Sequence, residues 1–396
     1  MAPAHGASPQ RAPSQRASPL VVVAAGGTGG HLFPAEALSI ALARRGITVD
    51  LATDERATRY GGAFPARGTH IVPSDTFRGR NPLAVVRTTL VLGTGVLAGL
   101  GLLRDLRPAA VIGFGGYPAI PTVVAARLRR IPTLIHEQNA VLGRANRLLS
   151  ARVRAIATSF PGLLDHDSRL AAKAVHTGNP IRPVVVEAAA TPYPDPAAGF
   201  RLLAFGGSQG ARIMADIVPV AMELLPMAVR ARLHVTQQAR EEDLVRVRGA
   251  YARLGVPADV EAFFADLPRR MAASHLVVSR SGASTVAELA AIGRPAILVP
   301  LPHALDQDQR ANAEMLQKVR GAIMFDQSRF TPDRLAAEIA RLAAEPEKLA
   351  AMAAAARGQG ILDAADRLAD LVVKVGGIAS QTTENGVRMT DDGRRT

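Results

Sequence analysis

The 396-residue sequence contains no cysteine and no tryptophan, and only 4% of its residues are aromatic. Without cysteine there can be no disulfide framework, no thiolate metal site and no cysteine nucleophile, which fits a reducing compartment. Few aromatics also means few stacking platforms, and this argues against a nucleic-acid-binding protein. Lysine is scarce too, four residues against forty-three arginines, a bias that carries no mechanism by itself. The sequence has no HExxH, EF-hand loop, Walker lysine or GxSxG element, so no pattern in it requires a metal. Its first eighteen residues, MAPAHGASPQRAPSQRAS, lack the apolar core of a secretory signal. Residues 1–18 and 377–396 are expected to be disordered tails.

What is present suits a globular chain of two or three domains, with 48% hydrophobic and 20% charged residues. The net charge of +13 is unevenly placed. Residues 20–182 carry twenty Lys and Arg against nine Asp and Glu, a net +11, whereas 183–376 carry twenty-two of each. The first half is therefore suited to something anionic, nucleic acid or a membrane surface.

Two stretches share one design. Residues 20–25 form a short apolar run that ends in GGTGGH and leads into a helical pattern over 34–45. Residues 201–205 repeat it with GGSQGAR. Each reads as a buried strand, a glycine-rich turn and a helix, the opening of a doubly wound domain. The proline-rich segment 180–196 is the candidate linker. Further strand-and-turn units precede GFGGYPAIP, HEQNAVLGRANRLLS, SRSGASTVAELAAIG and LPHALDQDQRANAEML. Strands alternating with helices imply two parallel sheets, with ligands beyond the strand carboxyl ends.

The glycine loops carry the candidate chemistry. GGTGGH is not the GxGxxG spacing of a dinucleotide enzyme, because Leu32 occupies the third glycine position, so a nucleotide-cofactor oxidoreductase is disfavoured. His31, near a helix start, would stay neutral there and could serve as a general base, or equally as a capping or core histidine. GGSQGAR offers amides, Ser208 and Arg212 to a diphosphate, or is a plain structural turn. SGASTVAE puts small residues at a helix start suited to phosphate, and Glu288 one turn later could grip ribose hydroxyls. The polar runs DQDQRAN and HEQN could meet sugar hydroxyls or simply face solvent. The uncharged stretch 88–103 is short for a spanning helix and is ringed by Arg78, Arg80, Arg87, Arg104 and Arg107. Two readings stay open for it, a buried helix or an apolar patch that docks on anionic lipid.

In order, GGTGGHLFPA, GFGGYPAIP, HEQNAVLGRANRLL, TGNPIR, GGSQGAR, SRSGASTVAEL and HALDQDQRANAE resemble the bacterial MurG-type transferases. The resemblance covers residues 20–370. It implies an α/β chain of the GT-B glycosyltransferase fold, with two Rossmann-like domains across a cleft. The acceptor- and membrane-facing domain would span 19–182, joined by a returning C-terminal helix at about 359–376. The UDP-sugar domain would span 183–358.

The implied reaction is inverting, without metal or cofactor: N-acetylglucosamine passes from UDP-N-acetylglucosamine to the 4-hydroxyl of undecaprenyl-diphosphate-linked N-acetylmuramoyl-pentapeptide, in peptidoglycan synthesis. The enzyme would sit peripherally on the cytoplasmic side of the cell membrane, with a cell-wall synthesis complex among its candidate partners and no nucleic-acid partner. By the same resemblance, His31 would be the base, and Thr28, Gly29 and Gly30 would face the diphosphate and sugar. Asn139 would contact the donor sugar, Arg182 and Ser208 the nucleotide diphosphate, and Phe264 the uracil through its backbone. Ala283, Ser284, Thr285, Val286, Ala287 and Glu288 would form the nucleotide helix, and Gln309 would hold sugar hydroxyls. Another glycolipid glycosyltransferase of the same fold is the nearest alternative.

Overall fold

The computed structural model describes residues 18–26, 29–55, 64–75, 82–196, 199–207, 210–302 and 305–379. Seven strands build the first sheet: β1 (Leu20–Ala24), β2 (Thr48–Thr53), β3 (Gly68–Ile71), β4 (Ala110–Gly113), β5 (Thr133–Glu137), β6 (Ala155–Thr158) and β7 (Ala174–His176). Six build the second: β8 (Phe200–Phe205), β9 (Leu233–Gln238), β10 (Ala258–Glu261), β11 (Leu276–Ser279), β12 (Ala296–Leu298) and β13 (Ala322–Met324). The strand orders are β3-β2-β1-β4-β5-β6-β7 and β10-β9-β8-β11-β12-β13. Every pairing is parallel.

Central strands such as LVVVA in β1 are buried along their whole length, because helices cover both faces. In each sheet the chain works outward in one direction and then restarts on the other side of the opening strand. The switch points fall between β1 and β4 and between β8 and β11. Crevices open beyond the strand ends at such points. The loops after β1, β4, β8 and β11 are GGTGGH, GFGGYP, GGSQGAR and SRSGAS, so all four glycine or small-residue turns flank a switch point.

The chain crosses between the two units twice. After β7 it passes through 177–182 into the second unit, and after the helix Pro346–Arg357 it returns through 358–361. The closing helix Ala364–Gly376 buries Leu368 and Val372 in the core of the first sheet. Its Asp366 and Asp370 pair with Arg44 and Arg45. In the second unit the fully buried guanidinium of Arg294 donates to the carbonyls of Ala272, Ile292, Gly293, Thr191 and Pro192. It ties three chain segments together without a carboxylate partner, and burial holds it down at about 10.

Candidate active site

A pocket of about 720 Å³ lies at the carboxyl ends of β8, β9 and β11 and reaches across to the first unit. The second unit supplies most of its wall. Gly206, Gly207 and Gly210 come from the β8 loop, and Phe263 and Phe264 follow β10. The helix Ala283–Ile292 points its start at the pocket through Ala283, Ser284 and Thr285. Its N-cap, Gly282, is extended and has no side chain to cap the first turn. Amides at the start of this helix are therefore left for a ligand, and the helix end favours an anion there. Ser284 adds a buried Oγ that has no hydrogen-bond partner.

Arg182 joins the two units at the rim. Its guanidinium lies 4.1 Å from the centroid of the Phe33 ring and puts Nη2 3.6 Å from Oε1 of Glu288. Glu288 is buried, which pushes its carboxyl up, and Arg182 pulls it back toward the charged form. The charged carboxylate thus depends on an arginine 106 positions away in sequence. Gln309 lines the pocket with its amide oxygen already committed to the Leu301 N–H at 3.0 Å, which leaves its NH₂ as the group on offer. Phe264 is buried, with the Arg270 guanidinium over its ring at 4.5 Å. From the first unit, Gly29, Gly30 and Phe33 close the far side.

His31 follows Gly30 but does not line this pocket. It turns into the first unit, where the Cδ2–Nε2 edge of its ring faces Gly116. Burial holds its pKa below 6.5, with the Gln138 side chain and the Phe114 carbonyl acting in the other direction. The neutrality that the sequence reading ascribed to the helix end thus comes first from burial.

Asn139 also lies away from the pocket. Its Nδ2 donates to Oε1 of Glu137 at 3.2 Å, and its Oδ1 accepts from Nδ2 of Asn312 at 3.0 Å. Asn312 accepts the Ala140 N–H at 2.8 Å as well, so this pair of asparagines links the units. Glu137 is buried beneath them and accepts from the Asn139 and Gly143 amides and from Asn146, yet burial still pushes its carboxyl up. A second link is the Arg144–Asp306 pair at 3.4 Å.

Val286 and Ala287 are carried by the helix period to its other side. There they line a separate cavity of about 220 Å³ between the two crossings, together with Asn179 and Ile361. Thr28, Ser208, Arg78 and Arg80 lie outside the described residues. Among those described, no group of three or more histidine or acidic side chains gathers in metal-binding geometry. Sequence reasoning did not single out Arg280, Phe263 or Arg240, all of which line the pocket. Only Phe263 had a usable signal, since it is an aromatic placed past a strand end in an aromatic-poor chain, and here it is 68% exposed. Buried Arg280 donates to the Val299 and Pro300 carbonyls and so shapes the wall from behind.

Away from the pocket, the helix Pro82–Leu106 contains the uncharged stretch. Thr88, Gly95, Gly99 and Leu103 form its buried stripe. A Cβ at Gly95 would collide with the Pro73 carbonyl, and one at Gly99 would stand 3.0 Å from Ala125 Cβ, so only glycine allows this close packing. The opposite stripe exposes Val86, Leu90 and Leu97, the last at 69%. Arg87 and Arg104 are exposed on the same helix, Arg104 hydrogen-bonded to Asp105. Among the described residues this is the one helix long and apolar enough to cross a membrane by length and composition, and only 22% of its most apolar window is buried. Both sequence readings thus describe part of it, one face packed and the other bare.

Residues 21–158 match the family model for the glycosyltransferase family 28 N-terminal domain, and residues 201–368 match that for the C-terminal domain of the same family. The UDP-N-acetylglucosamine–N-acetylmuramyl-(pentapeptide) pyrophosphoryl-undecaprenol N-acetylglucosamine transferase of Rhodopseudomonas palustris strain BisB18 is 62% identical over 369 residues, covering 93% of this chain and 98% of the relative. The enzyme of the same name from Bradyrhizobium sp. strain BTAi1 is 61% identical over 363 residues, covering 91% and 99%. The crystal structure of Acinetobacter baumannii MurG superposes with a TM-score of 0.74 at 29% identity, covering 90% of this chain and 99% of that one.

Proposed function

The chain belongs to glycosyltransferase family 28 and within it to the MurG-type N-acetylglucosaminyltransferases, and from that premise we infer what its pocket does. It transfers N-acetylglucosamine from UDP-N-acetylglucosamine to the lipid-linked N-acetylmuramoyl-pentapeptide, in the GT-B arrangement of two doubly wound units. The observation that carries this reading is the uncapped helix start at Ala283–Thr285, opening into a pocket that both units wall.

The leaving diphosphate gains negative charge as the anomeric C–O bond breaks. Preorganised amides at the helix start and the glycine loops, with Ser284 and Arg182, are suited to stabilise it. Glu288, kept ionisable by Arg182, suits the ribose hydroxyls, and Gln309 the sugar hydroxyls. The backbone at Phe264 suits the uracil, and Gly29 and Gly30 let the first unit approach the diphosphate closely. His31 is the base that takes the proton of the acceptor 4-hydroxyl as that oxygen attacks the anomeric carbon. Asn139, whose side chain is spent here on Glu137 and Asn312, would meet the donor sugar only once that link opens. We take 19–182 with 359–376 as the acceptor unit and 183–358 as the donor unit.

The exposed stripe of Val86, Leu90 and Leu97 supports a peripheral seat on an anionic membrane, with Arg87 and Arg104 at the lipid headgroups. That position brings the first unit to its lipid-borne acceptor. Transfer of radiolabel from UDP-N-acetylglucosamine to a synthetic lipid-linked N-acetylmuramoyl-pentapeptide, undiminished by a chelator, is the expected result. Protein that binds UDP but transfers nothing to this acceptor, while transferring to another lipid-linked sugar, would overturn the acceptor assignment and leave the donor site standing.

A further inference from the structure

Behind the glycine loops of the first unit lies a polar cluster that the donor pocket does not use. Gln138 follows β5 directly and is buried. Its Nε2 donates to the Phe114 carbonyl at 2.9 Å, which determines how the amide faces. The other end of that amide, Oε1, is buried and has no hydrogen-bond partner. Nδ1 of His31 is in the same condition. The Gln138 side chain and the Phe114 carbonyl are the groups that act on the His31 ring, and Gln138 is itself bonded to that carbonyl, so the two unpartnered atoms sit on neighbouring side chains. A buried acceptor left without a donor is destabilising, and a proton on Nδ1 shared with Oε1 would satisfy both atoms at once.

Across the ring the geometry is the reverse. The Cδ2–Nε2 edge faces Gly116, where a Cβ would stand 3.2 Å from Cδ2 and 3.3 Å from Nε2. Gly116 has φ +68 and no side chain, and both features keep that edge open. The neighbouring titratable group is His136, whose Nε2 lies 3.0 Å from the Gly178 carbonyl oxygen. Burial lowers His136 to about 4, so it stays neutral through the working range.

We propose that Gln138 is a positioning residue. Its Oε1 accepts the Nδ1–H of His31 and holds the neutral ring in the tautomer that leaves the Nε2 lone pair open over Gly116. This rests on the reading of His31 as the base. The other tautomer would set two lone pairs against each other in a site of low dielectric and would leave Nε2 already carrying a hydrogen. When the acceptor hydroxyl attacks, its proton passes to Nε2 and its oxygen bonds to the anomeric carbon. The broken C–O bond leaves its electron pair with the diphosphate. The imidazolium so formed still donates through Nδ1–H to Gln138, so one amide orients the base before transfer and stabilises its charge afterwards.

Nitrogen-15 NMR of histidine-labelled protein, with the His31 signal assigned by its loss in His31→Ala, reads the tautomer directly. The expected result is the Nδ1–H form in the wild type and a loss of that form in Gln138→Leu. In the same variant kcat should fall roughly ten- to hundredfold while KM for the donor changes by less than about twofold. Gln138→Glu places a carboxylate against the ring, and it should raise the acid limb of the kcat profile by about one pH unit or more. A wild-type ring in the Nε2–H form would overturn the proposal, and so would a tautomer and acid limb unchanged in both variants. Should Gln138→Leu fail to fold, the wild-type tautomer and Gln138→Glu decide the matter alone. A Gln138-dependent Nδ1–H tautomer in an enzyme that keeps its turnover as His31→Ala would support the positioning and overturn the base reading instead.

Discussion

His31 is held below its ordinary 6.5 by burial, and this sets the sign of the pH dependence. A base must be neutral to act, so turnover is level above the lowered pKa and falls as pH drops through it. The acid limb of kcat is therefore expected below 6.5 in the wild type, measured by steady-state kinetics from acid to alkaline pH. His31→Ala is expected to lower kcat by about 10²–10⁴-fold and to remove the limb, with circular dichroism as the folding control. Near-normal turnover with an unchanged profile would remove His31 from the mechanism. A residue's type was legible at this scale, but its surroundings were not. The GGTGGH motif placed a histidine beside a glycine loop. That its ring turns away from the donor pocket toward Gly116, Phe114 and Gln138 depends on segments more than eighty residues downstream.

At the scale of elements, the helix Pro82–Leu106 shows how one apolar stretch serves two environments. Glycine at 95 and 99 lets one face lie close against the helix Ala119–Leu128, while leucine at 90 and 97 stands out from the surface. Each such leucine contributes about 1.5–3 kcal/mol when fully removed from water, so the pair strengthens lipid adsorption together with the basic flanks and does not anchor the protein alone. Leu90→Gln with Leu97→Gln is expected to weaken adsorption to anionic vesicles at least tenfold, read by sedimentation with liposomes. Turnover on a water-soluble acceptor analogue should not change, because neither side chain lines the pocket. Adsorption unaffected by the pair would assign membrane contact to another face. The sequence showed the length of this stretch and its flanking arginines. It could not say which side faced out, because small residues are apolar on any scale and only packing shows that they are the buried ones.

At the scale of the whole molecule, the two units are linked by few side chains. Asn312 of the second unit meets Asn139 and the Ala140 amide of the first, while Arg182 spans Phe33 and Glu288. Asn312 is fully buried, so truncation leaves its partners unsatisfied at a cost of about 1–3 kcal/mol. Asn312→Ala is expected to loosen the cleft, seen as a larger radius of gyration in small-angle scattering and faster hydrogen exchange at the Ala140 amide. KM for the donor should rise with it. A compact, protected variant with unaltered KM would show that the link does not govern closure.

Much of this architecture is local and was therefore written in the sequence. A buried strand needs a short apolar run, a turn that approaches phosphate needs glycine, and the helix that follows needs its periodicity. Hence both doubly wound units, their parallel sheets and the ordered loops are legible in the sequence itself. Hydrogen bonding and burial between distant segments were not legible, because no local pattern encodes them. Strand order, with both switch points beside the glycine loops, is one such result. The Arg182 partner that keeps buried Glu288 ionisable is another, and so is the helix period that takes Val286 and Ala287 into a second cavity. The sequence determined which groups were available for chemistry. Tertiary structure decided which of them are dehydrated, which are paired and which remain free, since desolvation and pairing exist only once remote segments meet.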